Sequence, residues 1–309
     1  MNEMKNPLGV SIGVYPTETL FAEIAAAGIT HIELSPRDED YSRLFEEHES
    51  IRAMAERHGL TLWSLHLPFG RESMNLCAPD ESERKRTLAM QIENLHGAHA
   101  LGIDKVILHG GIPLPQTERK KYFAIARENI GALQTEASRL GITVCVESLA
   151  PSCIGRNAEE LLSILSEHPD LRVCLDTNHL YGHFQASFIR AIGKRIVSTH
   201  LSDCDFLDER HWLPGEGEID WPAVMEALCE VGYEGPLLYE VSPFRTPATI
   251  ERRALTFADY KENYLSLINK KAPKAIGVPK KEICEEKSFD KFCLQTYNIS
   301  YEDLLRVTI

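Results

Sequence analysis

The feature that most restricts how this chain can fold is a short apolar run that ends on a charge, repeated along its length. Val173-Cys174-Leu175 stops at Asp176, and an imidazole, His179, follows three positions later. Aliphatic and β-branched residues closing on a carboxylate read as a buried strand that delivers a charge to its own C-terminal edge. A charge so placed is costly to bury unless something pairs with it or coordinates it. Glu147, His200 and Glu240 close similar runs.

Between those runs lie helical patterns. Strands are expected at 10–15, 32–34, 60–67, 105–109, 142–147, 173–176, 196–200 and 236–241. Helices are expected at 18–27, 41–58, 80–101, 117–140, 157–168, 185–192, 220–231 and 249–269, several of them stopped by glycine, as at Gly28, Gly59, Gly102 and Gly141. Eight strands alternating with eight helical segments, joined by crossovers of βαβ length, predict parallel strands and a (β/α)8 TIM barrel over residues 1–270. An open doubly wound sheet ranks lower, because no glycine-rich phosphate loop follows the first strand. Strand alternation gives an internal check. Ser64, Cys145, Cys174 and Ser198 stand two residues before polar strand ends and share their face, small groups suited to a narrow barrel interior. Val144, Val146, Val173 and Leu175 fall on the other face, under the helices. Residues 271–309 form a C-terminal extension, with a linker over 272–281 and one or two short amphipathic helices over 289–305. It could dock on the barrel or mediate self-association, so a homo-oligomer stays open.

Composition excludes some classes of function. A formal charge of −13 argues against non-specific nucleic-acid binding. The eight cysteines include no C-x-x-C pair and read as reduced thiols, which points to the cytoplasm. Residues 1–7 lack the apolar core of a signal peptide, and no run is long enough to cross a bilayer, so no membrane contact is expected.

In a barrel, the strand ends converge on one mouth. Delivered there are Glu33, His66, His109, Glu147, Asp176, His200 and Glu240, with His179 just beyond the sixth strand. The loop after the seventh strand adds Asp203, Asp205, Asp208, Glu209, Arg210 and His211. Carboxylates and imidazoles without thiolates suit Mn²⁺, Mg²⁺, Co²⁺ or Zn²⁺, and so many carboxylates would repel one another without a cation. One divalent ion is expected, with residues enough for a second or third. A lone histidine at a strand end is more often structural than a ligand, but so many on successive strand ends are hard to explain that way. His31, His58, His96, His99, His168 and His183 fall on helices or strand starts and read as structural.

The strand ends Val146-Glu147-Ser148, Asp176-Thr177-Asn178-His179, Thr199-His200-Leu201-Ser202-Asp203 and Leu238-Tyr239-Glu240, with the loop from His211 to Trp221, resemble the xylose isomerase-like TIM-barrel superfamily. The resemblance covers roughly residues 8–268. That superfamily holds sugar isomerases and epimerases, inosose dehydratases and endonuclease IV-type enzymes. Likeness to its ketose 3-epimerase branch implies one divalent ion held by Glu147, Asp176, His200 and Glu240. Glu147 and Glu240 would then be the acid/base pair and His179 a substrate contact. Glu33 is read as a substrate contact or a group supporting a ligand from behind, and Arg210 as a substrate contact. Where the epimerases carry Arg, this chain has His211, and it adds His66 and His109. Those features resemble the endonuclease IV branch. There the residues matching His66, His109, Glu147, Asp176, His179, His200, His211 and Glu240 bind three zinc ions, together with an Asp where this chain has Glu209.

Three functions are weighed. The leading one is a metal-dependent isomerase or epimerase of a small sugar, polyol or sugar phosphate, working through an enediolate. The second is an apurinic-site phosphodiesterase with clustered zinc. The third is a barrel that only binds a sugar. The acidic segment Arg37-Asp38-Glu39-Asp40 and the loop Pro214-Gly215-Glu216-Gly217-Glu218-Ile219-Asp220-Trp221 favour the first over the second, because a DNA-entering loop would be basic and aromatic.

Overall fold

A computed structural model describes residues 4–69, 74–181 and 185–307; His183 lies outside the described residues. Each expected strand forms: β1 (Leu8–Ile12), β2 (His31–Leu34), β3 (Thr61–His66), β4 (Lys105–Leu108), β5 (Thr143–Glu147), β6 (Arg172–Asp176), β7 (Ile196–His200) and β8 (Leu237–Tyr239). All pair in parallel, in the spatial order β7-β6-β5-β4-β3-β2-β1-β8. The ring closes between β7 and β8 just past the end of β7. There the Leu201 N–H donates to Leu238 O at 2.8 Å and the Glu240 N–H to Leu201 O at 3.1 Å. The result is a (β/α)8 barrel.

The crossovers are α1 (Glu18–Ala26), α2 (Tyr41–Glu46) with α3 (His48–Arg57), α4 (Glu81–Ala100), α5 (Arg119–Arg139), α6 (Ala158–Glu167), α7 (Gln185–Ile192), α8 (Trp221–Glu230) and α9 (Phe257–Ile268). Polar side chains start several of them. Thr17, Asp80, Asn157 and Asp220 each accept a backbone N–H of the first turn. Gly28 ends α1 with φ +76°, a conformation that penalises any Cβ. The two faces of the strands separate as expected. Val144, Val146, Val173 and Leu175 join the main core between sheet and helices. Cys145, Cys174 and Ile107 form a separate small cluster inside the barrel. All eight cysteines are free thiols, and no described helix is long and apolar enough to cross a membrane.

The end of the chain departs from expectation. The last barrel helix begins at Phe257 rather than at Thr249, because Thr256 and Asp259 make a reciprocal capping box there. The residues before it are extended. Their short strand β9 (Ile250–Glu251) pairs antiparallel with β10 (Val278–Pro279), so the expected linker contributes a strand. Beyond it come three short helices, α10 (Lys281–Glu286), α11 (Phe289–Tyr297) and α12 (Tyr301–Arg306). They pack over the loops that follow β5, β6 and β7: Phe289, Cys293 and Leu304 form one apolar cluster with Ala150 and Tyr181.

Candidate metal centre

The strand ends and the loops after them converge at the C-terminal mouth in three groups, two of which share Glu147. Ligand atoms of Glu147, Asp176, His200 and Glu240 lie within 4.8 Å of one another, as do those of His66, His109 and Glu147, and those of His179, Glu209 and His211. Glu147 belongs to two groups: its Oε2 stands 3.2 Å from His66 Nε2 and 3.1 Å from His109 Nε2, its Oε1 3.2 Å from His200 Nδ1. β5 aims it there, and Ser148, the next residue, braces β6 through an Oγ that accepts the Asp176 N–H at 2.8 Å.

The imidazoles are oriented from behind. His66 Nδ1 meets Leu67 O at 2.9 Å, which turns Nε2 toward Glu147. His179 Nδ1 meets Ser148 O at 3.1 Å and leaves Nε2 to face Glu209 Oε1 at 3.5 Å. His200 turns Nδ1 to Glu147 and to Glu240 Oε2 (3.5 Å), while Nε2 lies 2.9 Å from Glu33 Oε1, an approach too bent for a well-formed hydrogen bond. Glu33 itself accepts Ser11 Oγ at 2.9 Å and Ser64 Oγ at 2.7 Å and is fully buried. It stands behind the His200 ring, on the side away from Glu147.

The carboxyls differ in acidity. Burial pushes Glu147 up, but the His200 and His109 imidazoles outweigh it and hold its carboxyl well below the usual range. Burial dominates at Glu240 and pushes it well above, with Asp176 and Glu147 adding repulsion. Burial lowers His179, yet Asp176 and Glu209 outweigh it and raise the imidazole well above its ordinary value. Glu209 is held at about 2, where the facing His179 outweighs burial.

Two buried carboxylate oxygens, Asp176 Oδ2 and Glu240 Oε2, have no hydrogen-bond partner among the described residues. A buried acceptor without a donor is expensive. Both belong to the four-residue group, whose donors are oxygen and imidazole nitrogen, and a divalent cation fits that set.

Other loop residues take different parts. Arg210, expected as a substrate contact, lines the cavity over the site, and its guanidinium is engaged by protein groups: Nε grips Asp205 at 2.9 Å, while Nη1 and Nη2 donate to Lys287 O and Cys284 O, each at 3.0 Å. Asp203 is drawn into the 213–221 loop, accepting from Gly215 N–H, Ile219 N–H and Trp221 Nε1. Asn178 was not singled out in the sequence. Its Oδ1 accepts the N–H groups of Arg210 (2.9 Å) and His211 (3.3 Å), and its own N–H donates to Asp176 Oδ1 at 2.6 Å. A cavity of ≈ 720 Å³ opens over the site, with Glu209, His211 and Glu240 in its wall. Arg37, Arg245 and Lys287 line the same cavity, and their side chains make no hydrogen bond or ion pair among the described residues.

Comparison with known proteins gives the family of the chain. The profile of the family described as Xylose isomerase-like TIM barrel matches residues 21–259. A D-psicose 3-epimerase of Ruminiclostridium cellulolyticum is 25% identical over 201 residues, 62% of this chain and 66% of that one. A probable endonuclease 4 of Haloarcula marismortui is 28% identical over 202 residues, 56% of this chain and 68% of that one. Among solved structures, a D-tagatose 3-epimerase-like protein superposes with a TM-score of 0.71 at 22% identity, covering 91% of this chain and 99% of that one; at that identity the likeness shows the fold.

Proposed function

The chain belongs to the xylose isomerase-like TIM barrel family, and from that premise we propose that it is a divalent-metal-dependent isomerase or epimerase of a small sugar or polyol, phosphorylated forms preferred. The observation that carries this reading is the group Glu147, Asp176, His200 and Glu240, in which two buried carboxylate oxygens face imidazoles but accept no hydrogen bond among the described residues. These four residues would hold the ion, which when bound supplies Lewis-acid polarisation of a carbonyl and adjacent hydroxyl, making the intervening C–H acidic. Glu147, held ionised by its imidazoles, removes that proton. Glu240 would return a proton to the substrate. Delivery to the opposite face of the same carbon gives epimerisation, and delivery to the neighbouring carbon gives isomerisation. Glu33 fixes the ring of His200 from behind. Arg37, Arg245 and Lys287, which have no ion-pair partner among the described residues, would receive a phosphate at the far end of the substrate.

One observation favours a second reading. The His66–His109–Glu147 and His179–Glu209–His211 groups flank the first, and an epimerase that needs a single ion has no evident use for them. A multinuclear phosphodiesterase would. A paired assay separates the two. The Mn²⁺-treated protein is expected to exchange a substrate C–H for deuterium from D₂O in a panel of ketoses and their phosphates. Glu240→Gln should slow that exchange about 10²–10⁴-fold. No exchange anywhere in the panel, with nicking of an abasic oligonucleotide, would overturn the isomerase reading in favour of the phosphodiesterase.

A further inference from the structure

The C-terminal helices contact both of the loops that bear the His179–Glu209–His211 group. Tyr181, two residues beyond His179, packs its ring against Phe289 at 5.3 Å and Tyr301 at 6.3 Å between centroids. On the other loop, Arg210 sits between Glu209 and His211, and it is only 4% exposed. Its guanidinium is fully committed. The Nε lies between both oxygens of Asp205, and the two terminal nitrogens cap Lys287 O and Cys284 O at the end of α10. Those carbonyls are the ones a helix leaves unsatisfied at its C-terminus, where a guanidinium is a natural partner. A further bond joins the same two segments, from the Phe289 N–H to Leu207 O at 2.7 Å.

The backbone on either side of Arg210 is pinned as firmly. Its own N–H and that of His211 converge on Asn178 Oδ1. His211 adopts φ +49°, a left-handed conformation that a residue with a Cβ holds only when its surroundings impose it. Trp212, the next residue, is buried in a small cluster with Ile250 and Cys284, so the tail supports the loop on that side as well.

We propose that Arg210 is a positioning residue through which docking of residues 281–307 sets Glu209 and His211 opposite His179, so that ion binding in this group and docking of the C-terminal segment are coupled. The proposal rests on the reading of that group as metal-holding. The coupling is reciprocal by thermodynamic necessity: if the docked tail tightens the ion, the ion tightens the tail by the same factor. Loss of Arg210 leaves the two carbonyls and Asp205 without their common donor and frees the loop between its ends.

The test is hydrogen exchange of the full-length protein with and without Zn²⁺, together with its Zn²⁺ stoichiometry after equilibrium dialysis. In the wild-type chain, Zn²⁺ is expected to slow exchange across 281–297 by about fivefold or more. Arg210→Met is expected to lose that slowing and to hold one ion fewer than wild type. Arg210→Lys should restore only part of it, because an ammonium cannot span Asp205 and both carbonyls at once. A merely structural Arg210 would lower stability without making tail exchange depend on the ion. Tail exchange indifferent to Zn²⁺ in a wild-type chain that binds it would overturn the coupling, as would an Arg210→Met chain that holds as many ions as wild type. If the wild-type chain binds no Zn²⁺ at all, the metal reading itself falls and the coupling falls with it.

Discussion

Glu33 shows how a residue's part is set by partners far away in sequence. It stands one residue before the end of β2, while Glu147 ends β5, and nothing in its own run sets its part apart. The hydroxyls of Ser11 and Ser64 and the ring of His200 fix it behind the site. A carboxylate in that position holds a ligand ring in one orientation, and its loss commonly weakens metal binding 10–100-fold. Glu33→Gln is therefore expected to weaken the first bound Mn²⁺ by about 10–100-fold in competition with a chelator. An unchanged affinity would remove Glu33 from the site. Arg210 carries the same lesson, since the carbonyls of Cys284 and Lys287 that claim it are more than seventy residues away. Asn178 escaped notice for a related reason: an amide between two candidate ligands has no chemistry of its own until the loop it clamps is in view.

At the scale of single elements, strand ends were legible because a buried strand needs an apolar run and a charge stops it. The start of the last helix was not. Thr249 begins a polar stretch with helical spacing, and only the reciprocal bonds of Thr256 and Asp259 put the true start at Phe257. The Asp259 carboxyl also accepts from Arg253, and that hydrogen bond, outweighing burial and joined by Thr256, holds it at about 2 instead of 3.8. A carboxyl depressed in the folded state stabilises the fold above its unfolded value and loses that contribution as pH falls toward the folded one. Asp259→Asn should therefore lower the melting temperature at pH 7 and match wild type near pH 2. A gap that persists unchanged at low pH would show that the charge is not the cause. Arg119 joins α5 to α6 in the same fashion, more deeply. Fully buried, it forks onto Glu160 at 2.7 and 2.9 Å and also caps carbonyls of the loop after β5. Arg119→Met would take away the forked partner of the buried Glu160 carboxylate, leaving it Arg156 Nε at 3.2 Å, and is expected to cost about 3 kcal/mol in denaturant unfolding.

For the whole molecule, the alternation of runs and helices was enough to give the barrel, and the barrel was enough to gather the charged strand ends at one mouth. The placement of the last forty residues was not readable, because short amphipathic helices state that they have an apolar face and not what it meets. Here it meets Ala150 and Tyr181, next to the site. The acidic total charge of −13 also concealed three cations around the cavity whose side chains have no ion-pair partner among the described residues. With Arg37 and Arg245 both changed to Gln, KM for a phosphorylated substrate should rise about tenfold or more, while the neutral sugar is unaffected. Equal losses for both would mean that these side chains do not read charge. The central claim is that strands from around the barrel end in a shared cation site. Anomalous diffraction from crystals grown with Zn²⁺ tests it most directly: the account predicts a peak among Glu147, Asp176, His200 and Glu240, and a map with no peak there would contradict it.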